Sequence, residues 1–196
     1  MGLSIHYNGK FNASAFLPDM IREVRDIAEI YNWKYTVFEE EFPAKGFDDE
    51  SYNNSIYGIC FSPPESEPVW LCFLSNGRMS SPGNLIFFGN SSNEDDKKYL
   101  YLLSTKTQYA GIVVHKLIIH LLKFLSKKYL EIFNLQDEGH YWETGDEKLL
   151  QETFNRYSDL IDYVSSALEN IPMNDGETFE KYFERILKII HYKHKK

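Results

Sequence analysis

Residues Tyr99–Asn134 read YLYLLSTKTQYAGIVVHKLIIHLLKFLSKKYLEIFN, and their periodicity decides the fold class. Tyr99 to Ser104 is a short apolar and aromatic run of strand character. Ala110 to about Lys128 is too long for a strand and predicts a helix. Tyr129 to Asn134 returns to strand composition. The order strand, helix, strand also occurs near the start of the chain. Leu3–Tyr7 predicts a strand, and Pro18 opens a helix to about Tyr31. Its apolar positions Met20, Ile21, Val24, Ile27, Ala28 and Tyr31 share one face. Trp33–Phe42 then alternates as a strand.

Between these units, Pro43–Asn54 is a polar loop, and Tyr57–Phe61 and Val69–Ser75 are strands separated by SPPESEP. Val69–Leu74 is apolar on both faces, as expected of a strand covered on both sides. Asn76-Gly77 is a strong hairpin signal and predicts a return through Met79 and again through Leu85–Phe88 in an antiparallel meander. Asn90–Lys98 reads as a charged loop. The last fifty or so residues are helical. Leu150, Phe154, Tyr157, Ile161, Val164, Leu168 and Ile171 follow a heptad-like line, and Phe179, Phe183, Ile186 and Ile190 follow a second one beyond Pro172–Glu177. The expected fold is α+β: a mixed or mainly antiparallel sheet, two strand-helix-strand units and a C-terminal helical hairpin. Residues 1–145 form the core and 146–196 a helical pair packed on it or on a second copy, within a single domain overall.

The composition is that of a globular protein, with 43% hydrophobic and 26% charged residues. Aromatics reach 16%, so rings build much of the core and contribute half-buried positions as well. A net charge of −8 argues against a nucleic-acid binder, which needs a basic face. The basic run Lys188–Lys196 reads as a solvated helix end. The apolar stretch Ala110–Leu125 is interrupted by His115, Lys116, His120 and Lys123, which excludes a membrane span. The opening MGLSIH has neither a signal region nor the Ser or Thr that myristoylation requires. With two cysteines, Cys60 and Cys72, and no disulfide framework, the expected location is the cytosol.

The densest chemistry lies at Asp137–Glu147, DEGHYWETGDE, with five carboxylates and one histidine in eleven positions. Thr144 and Glu147 have capping-box spacing, with Asp146 in the first turn of the following helix. That leaves His140 and Glu143 as candidate acid/base residues, and Tyr141, Trp142, Asp137 and Glu138 as candidate ligand contacts. No HExxH or Cx2C spacing is present, so neither a metal nor a cofactor is implied. His115 and His120 lie about 140° apart around their helix and share no face. His115 reads as a boundary histidine hydrogen-bonded to a neighbour, beside Ile112, Leu117, Leu121 and Phe124, whereas His120 joins a polar stripe with Lys116, Lys123 and Lys127. Cys60 and Cys72 read as buried small hydrophobes. Thr107, within Ser104–Gln108, reads as a cap for the long helix.

The favoured expectation is a binding or assembly protein that uses Tyr157, Ile161, Val164 and Leu168 against a protein partner or a second copy. A small-molecule enzyme, with or without metal assistance, acting through the Asp137–Glu147 loop is the alternative. An acidic inhibitor of a basic protein surface is the third reading. Neither nucleic acid nor membrane is an expected partner, and a small-molecule ligand fits the second reading.

Overall fold

In the computed structural model, which describes residues 3–44, 47 and 51–193, the chain divides into two units, 1–150 and 151–196. The first is α+β. Its strands are β1 (Ser4–Phe11), β2 (Lys34–Val37), β3 (Tyr57–Ser62), β4 (Val69–Phe73), β5 (Leu103–Lys106) and β6 (Leu130–Asp137). They form two antiparallel three-stranded sheets, in the orders β5-β1-β6 and β2-β3-β4. The helices of this unit are α1 (Leu17–Ile30), α2 (Pro82–Phe88), α3 (Glu94–Leu100), α4 (Gly111–Tyr129) and α5 (Tyr141–Thr144). No helix among the described residues is long and apolar enough to cross a membrane.

The two strand-helix-strand units do different work. β1-α1-β2 leads from the first sheet to the second. β5 and β6 both lie antiparallel to β1, so they run alike on either side of it, with α4 as the crossover. α1 buries Leu17, Met20, Ile21, Val24 and Ala28, with Pro18 in its first turn, and it packs against β2 and β3.

Asn76-Gly77 makes the tight turn that its residue types predict, with Gly77 at φ 77°. The returning segment pairs with β4 at Met79 and with β1 at Arg78. Met79 N–H donates to the Gly9 carbonyl (2.8 Å) and Phe11 N–H to the Gly77 carbonyl (2.8 Å). Buried Tyr7 adds a second tie between the sheets. Its hydroxyl accepts from Trp70 N–H (2.9 Å) and donates to the Trp70 carbonyl (3.2 Å). Burial raises the Tyr7 pKa well above that of an ordinary phenol. β4 is covered on both faces, as its double apolar pattern requires. Cys72 and Leu74 join a cluster with Ile56, Cys60 and Leu100, packed by Trp70, Leu85 and Phe88.

The structure corrects several expectations. Leu85–Phe88 is not a returning strand. Ser81 caps α2 by accepting from Asn84 N–H (3.1 Å) and Pro82 occupies its first turn, so Ser81-Pro82-Gly83 is a helix start. The Asn90–Lys98 loop contains α3, capped by Asn93, and β5 therefore begins at Leu103 instead of Tyr99. Thr107 does not cap α4: Ala110 stands at that position without a side-chain bond. α4 buries His115, Ile118, Ile119, Leu121, Leu122, Leu125 and Tyr129, so of the expected apolar face Leu121 is buried while Phe124 is 51% exposed. Apolar residues surround most of this helix, so their spacing does not fix its rotation.

The second unit holds most of α6 (Glu147–Asn170) and α7 (Phe179–Lys193). Tyr182 and Ile186 are its buried centre, packed by Leu160, Val164, Ala167 and Ile171. Tyr182 hydroxyl donates toward the Ile171 (2.9 Å) and Leu168 (3.3 Å) carbonyls, which satisfies acceptors left open where α6 ends. Arg185 forks onto Glu177 through Nε (2.9 Å) and Nη2 (2.7 Å) and also donates to the Pro172 carbonyl. Of the two heptad lines, Val164, Ile171 and Ile186 enter this contact. Leu168, Phe179 and Phe183 are exposed, and the side chain of Ile190 and residues 194–196 lie outside the described residues.

Candidate functional site

The Asp137–Glu147 segment is organised by one carboxylate. Asp137 sits at the end of β6, 1% exposed. Its Oδ1 accepts from Gly139 N–H (2.7 Å), and its Oδ2 accepts from the N–H groups of Tyr141 (2.8 Å) and Trp142 (3.0 Å). The carboxylate thus holds the short turn of α5. From the other side, His115 Nε2 lies 3.1 Å from Oδ1 and donates into the same group, while His115 Nδ1 is 2.7 Å from the Thr107 hydroxyl. Burial raises the Asp137 pKa, but the His115 bond, its charge and the backbone N–H donors outweigh that and leave it below the ordinary value.

Thr107, His115 and Asp137 therefore form a hydroxyl–imidazole–carboxylate line, the connectivity of a nucleophile, base and orienting acid. Each residue is at most 1% exposed. A sealed hydroxyl meets no substrate, so this line acts as a clip joining the end of β5, the first turns of α4 and the end of β6. His115 is thus a fully buried, satisfied histidine, not a boundary one.

Most of the remaining loop residues are similarly committed. Glu138 Oε2 accepts from Ser4 N–H (2.8 Å) and its Oε1 lies 3.3 Å from His6 Nε2. Glu143 accepts from Asp137 N–H (3.3 Å). His140 is exposed and left-handed at φ 58°, and its carbonyl accepts from the Thr144 hydroxyl (2.6 Å). No hydrogen bond or ion pair joins His140 to Glu143 among the described residues. The cap of α6 is Asp146, which accepts from Lys148 and Leu149 N–H (2.8 and 3.2 Å), in place of the Thr144–Glu147 box. Glu147 instead pairs with Lys116. Tyr141 is buried, with its hydroxyl 3.3 Å from His120 Nε2, and Trp142 packs on Phe133 with Lys123 Nζ 5.2 Å over its ring.

Cys60 and Cys72 are both free and buried. Cys60 pairs with Trp70 and Cys72 with Gly58, so the two are diagonal across β3 and β4. Burial pushes both thiols up, which makes them poorer nucleophiles. Among the described residues no group of three or more His, Cys, Asp or Glu could hold a metal ion.

A second surface has no counterpart in the sequence reading. Where β1 leaves β5 and takes up Arg78 as its edge partner, a groove of about 720 Å³ opens. Lys10, Arg78 and Lys98 line it with Tyr99 and Tyr101, and among the described residues no carboxylate does. The Arg78 guanidinium lies flat on Tyr101, 3.4 Å from the ring centre. Comparison with protein-family models, curated proteins and solved structures gave no match.

Proposed function

We propose that the protein works by binding and assembly, and that its C-terminal helices join two copies of the chain. The observation that carries this reading is the double apolar character of α7. One face supplies the buried Tyr182 and Ile186. Another carries Phe179, Phe183 and Leu187 at helical spacing, exposed by 69%, 37% and 47%. A helix apolar on two faces is one that is covered on two faces. A second copy fits as the cover because a two-fold axis pairs a patch with itself. An antiparallel pairing of α7 sets Phe179 beside Leu187 of the other copy, and Glu180 near Lys188. The small buried centre of this unit also favours assembly, since short helical units rarely hold enough core alone. Two reduced, buried cysteines support a cytosolic setting.

Sedimentation of the full chain tests the reading. A dimer at micromolar concentration is expected, with Phe183→Asp and Leu187→Asp each giving a monomer of unchanged helicity. A wild-type monomer at the highest soluble concentration sinks it.

A further inference from the structure

We infer that the Lys10–Arg78–Lys98 groove binds a small organic phosphate bearing a planar ring, of about nucleotide size. Lys10, Arg78 and Lys98 all line it, on a chain whose net charge is −8. Fields of distant exposed charges are screened within about 8–10 Å at physiological salt, so the net charge of the whole chain does not set the potential in the groove. Among the described residues no ion pair includes Arg78, and the contact of Lys98 with Asp95 is long (3.8 Å) and exposed. A guanidinium stacked on a tyrosine keeps its edge N–H groups for a planar or tetrahedral oxyanion.

The mount is rigid as well as charged. Arg78 N–H donates to Asn76 Oδ1 (3.1 Å) and its carbonyl accepts from Leu74 N–H (2.9 Å). Asn76, 1% exposed, also reaches the Tyr101 hydroxyl through Nδ2 (3.4 Å). One buried amide thus places both halves of the Arg78–Tyr101 stack, as a recognition site requires.

The ring specificity comes from the rest of the lining. Tyr99, 44% exposed, and Leu102, 42% exposed, offer apolar surface beside the cations. Aromatic rings of this kind accept a base or similar plane by stacking. Asn134, whose amide donates to Asn8 Oδ1 (3.1 Å), supplies polar contacts at the rim. A cavity of 720 Å³ lies within the range of about 300–1,000 Å³ usual for small-molecule sites.

Calorimetric titration of the full chain with AMP, adenosine, inorganic phosphate and a short single-stranded oligonucleotide tests this assignment. AMP is expected to bind more tightly than adenosine or phosphate. Arg78→Met and Lys98→Met should each weaken it by about tenfold or more, and Lys123→Met, over Trp142 and outside the groove lining, should not. Lys98 is exposed on α3, so that variant keeps the readout if Arg78→Met disturbs the turn. Absence of AMP binding at millimolar concentration overturns the site, as does unchanged affinity in both folded groove variants. Phosphate binding as tightly as AMP overturns the ring assignment. An oligonucleotide that binds where AMP does not makes the groove a strand-binding surface and overturns the small-ligand reading.

Discussion

The Asp137–Glu147 segment and the Lys10–Arg78–Lys98 groove are opposites. The first concentrates polar chemistry in eleven consecutive residues, and nearly all of it closes on the protein itself. Asp137 accepts three backbone N–H groups and His115, while Glu138, Glu143 and Asp146 each satisfy further backbone donors. The second gathers its groups from β1, the Asn76-Gly77 turn and α3, and among the described residues no carboxylate pairs with Arg78. Dense polar sequence marks a place where the backbone changes direction and exposes donors that need acceptors. Recognition chemistry marks groups whose bonding capacity is still open.

The comparison breaks most easily at Asp137. Asp137→Ala takes the shared acceptor from His115 Nε2 and three N–H groups, and removing one partner of a buried pair costs about 3–5 kcal/mol. Chemical denaturation should show this loss, whereas Lys98→Met should stay within about 0.5 kcal/mol of wild type. Equal losses would erase the distinction between the two regions. Tyr7→Phe should fall between them, at about 1–3 kcal/mol, because Trp70 N–H and carbonyl lose one shared partner. His140→Gly tests the loop from the other side. A left-handed non-glycine residue costs about 1–2 kcal/mol, part of which glycine returns as unfolded-chain entropy. The variant should therefore match or slightly exceed wild-type stability. A clear destabilisation would mean that the imidazole of His140 has a structural role beyond its backbone geometry.

Much of the fold was legible because its signals are local. The face of α1, the double apolar pattern of β4 and the Asn76-Gly77 turn each follow from neighbouring residues. α2 and α3 were hidden for separate reasons. In Ser81-Pro82-Gly83 the same residues suit a turn and a helix start, and only the Ser81–Asn84 bond distinguishes them. The α3 segment EDDKKYL is too polar to show an apolar face, and its helix rests on the Asn93 cap. The rotation of α4 was hidden because apolar residues occupy most of its circumference. The clip could not be read locally: Thr107, His115 and Asp137 belong to three elements that meet only when β5 and β6 flank β1. The groove has the same cause, since Lys10 and Arg78 become neighbours through a single bridge between β1 and the turn.

Acid separates a buried carboxylate from a half-buried one more finely than mutation does. Both Asp137 and Glu177 have folded pKa values below their ordinary ones. For a depressed carboxylate the stabilising contribution is present above the unfolded pKa and is lost as pH falls through the folded one. For Glu177 that window runs from its ordinary 4.5 down to about 2, set first by the Arg185 fork and then by Asn174 N–H. A carboxyl-carbon NMR titration should give about 2 for Glu177 in the wild type, and Arg185→Met should move it back toward 4.5 with little change in melting temperature. Asp137 should also titrate below its ordinary range, but its protonation weakens the bonds to Gly139, Trp142 and His115 together, so its titration should coincide with loss of the native fold around α5. If Glu177 titrated near 4.5 in the wild type, the Arg185 fork would be absent in solution. If Asp137 titrated reversibly with α5 intact, the clip would be a weaker tie than its burial implies, and the loop would regain a carboxylate free for chemistry.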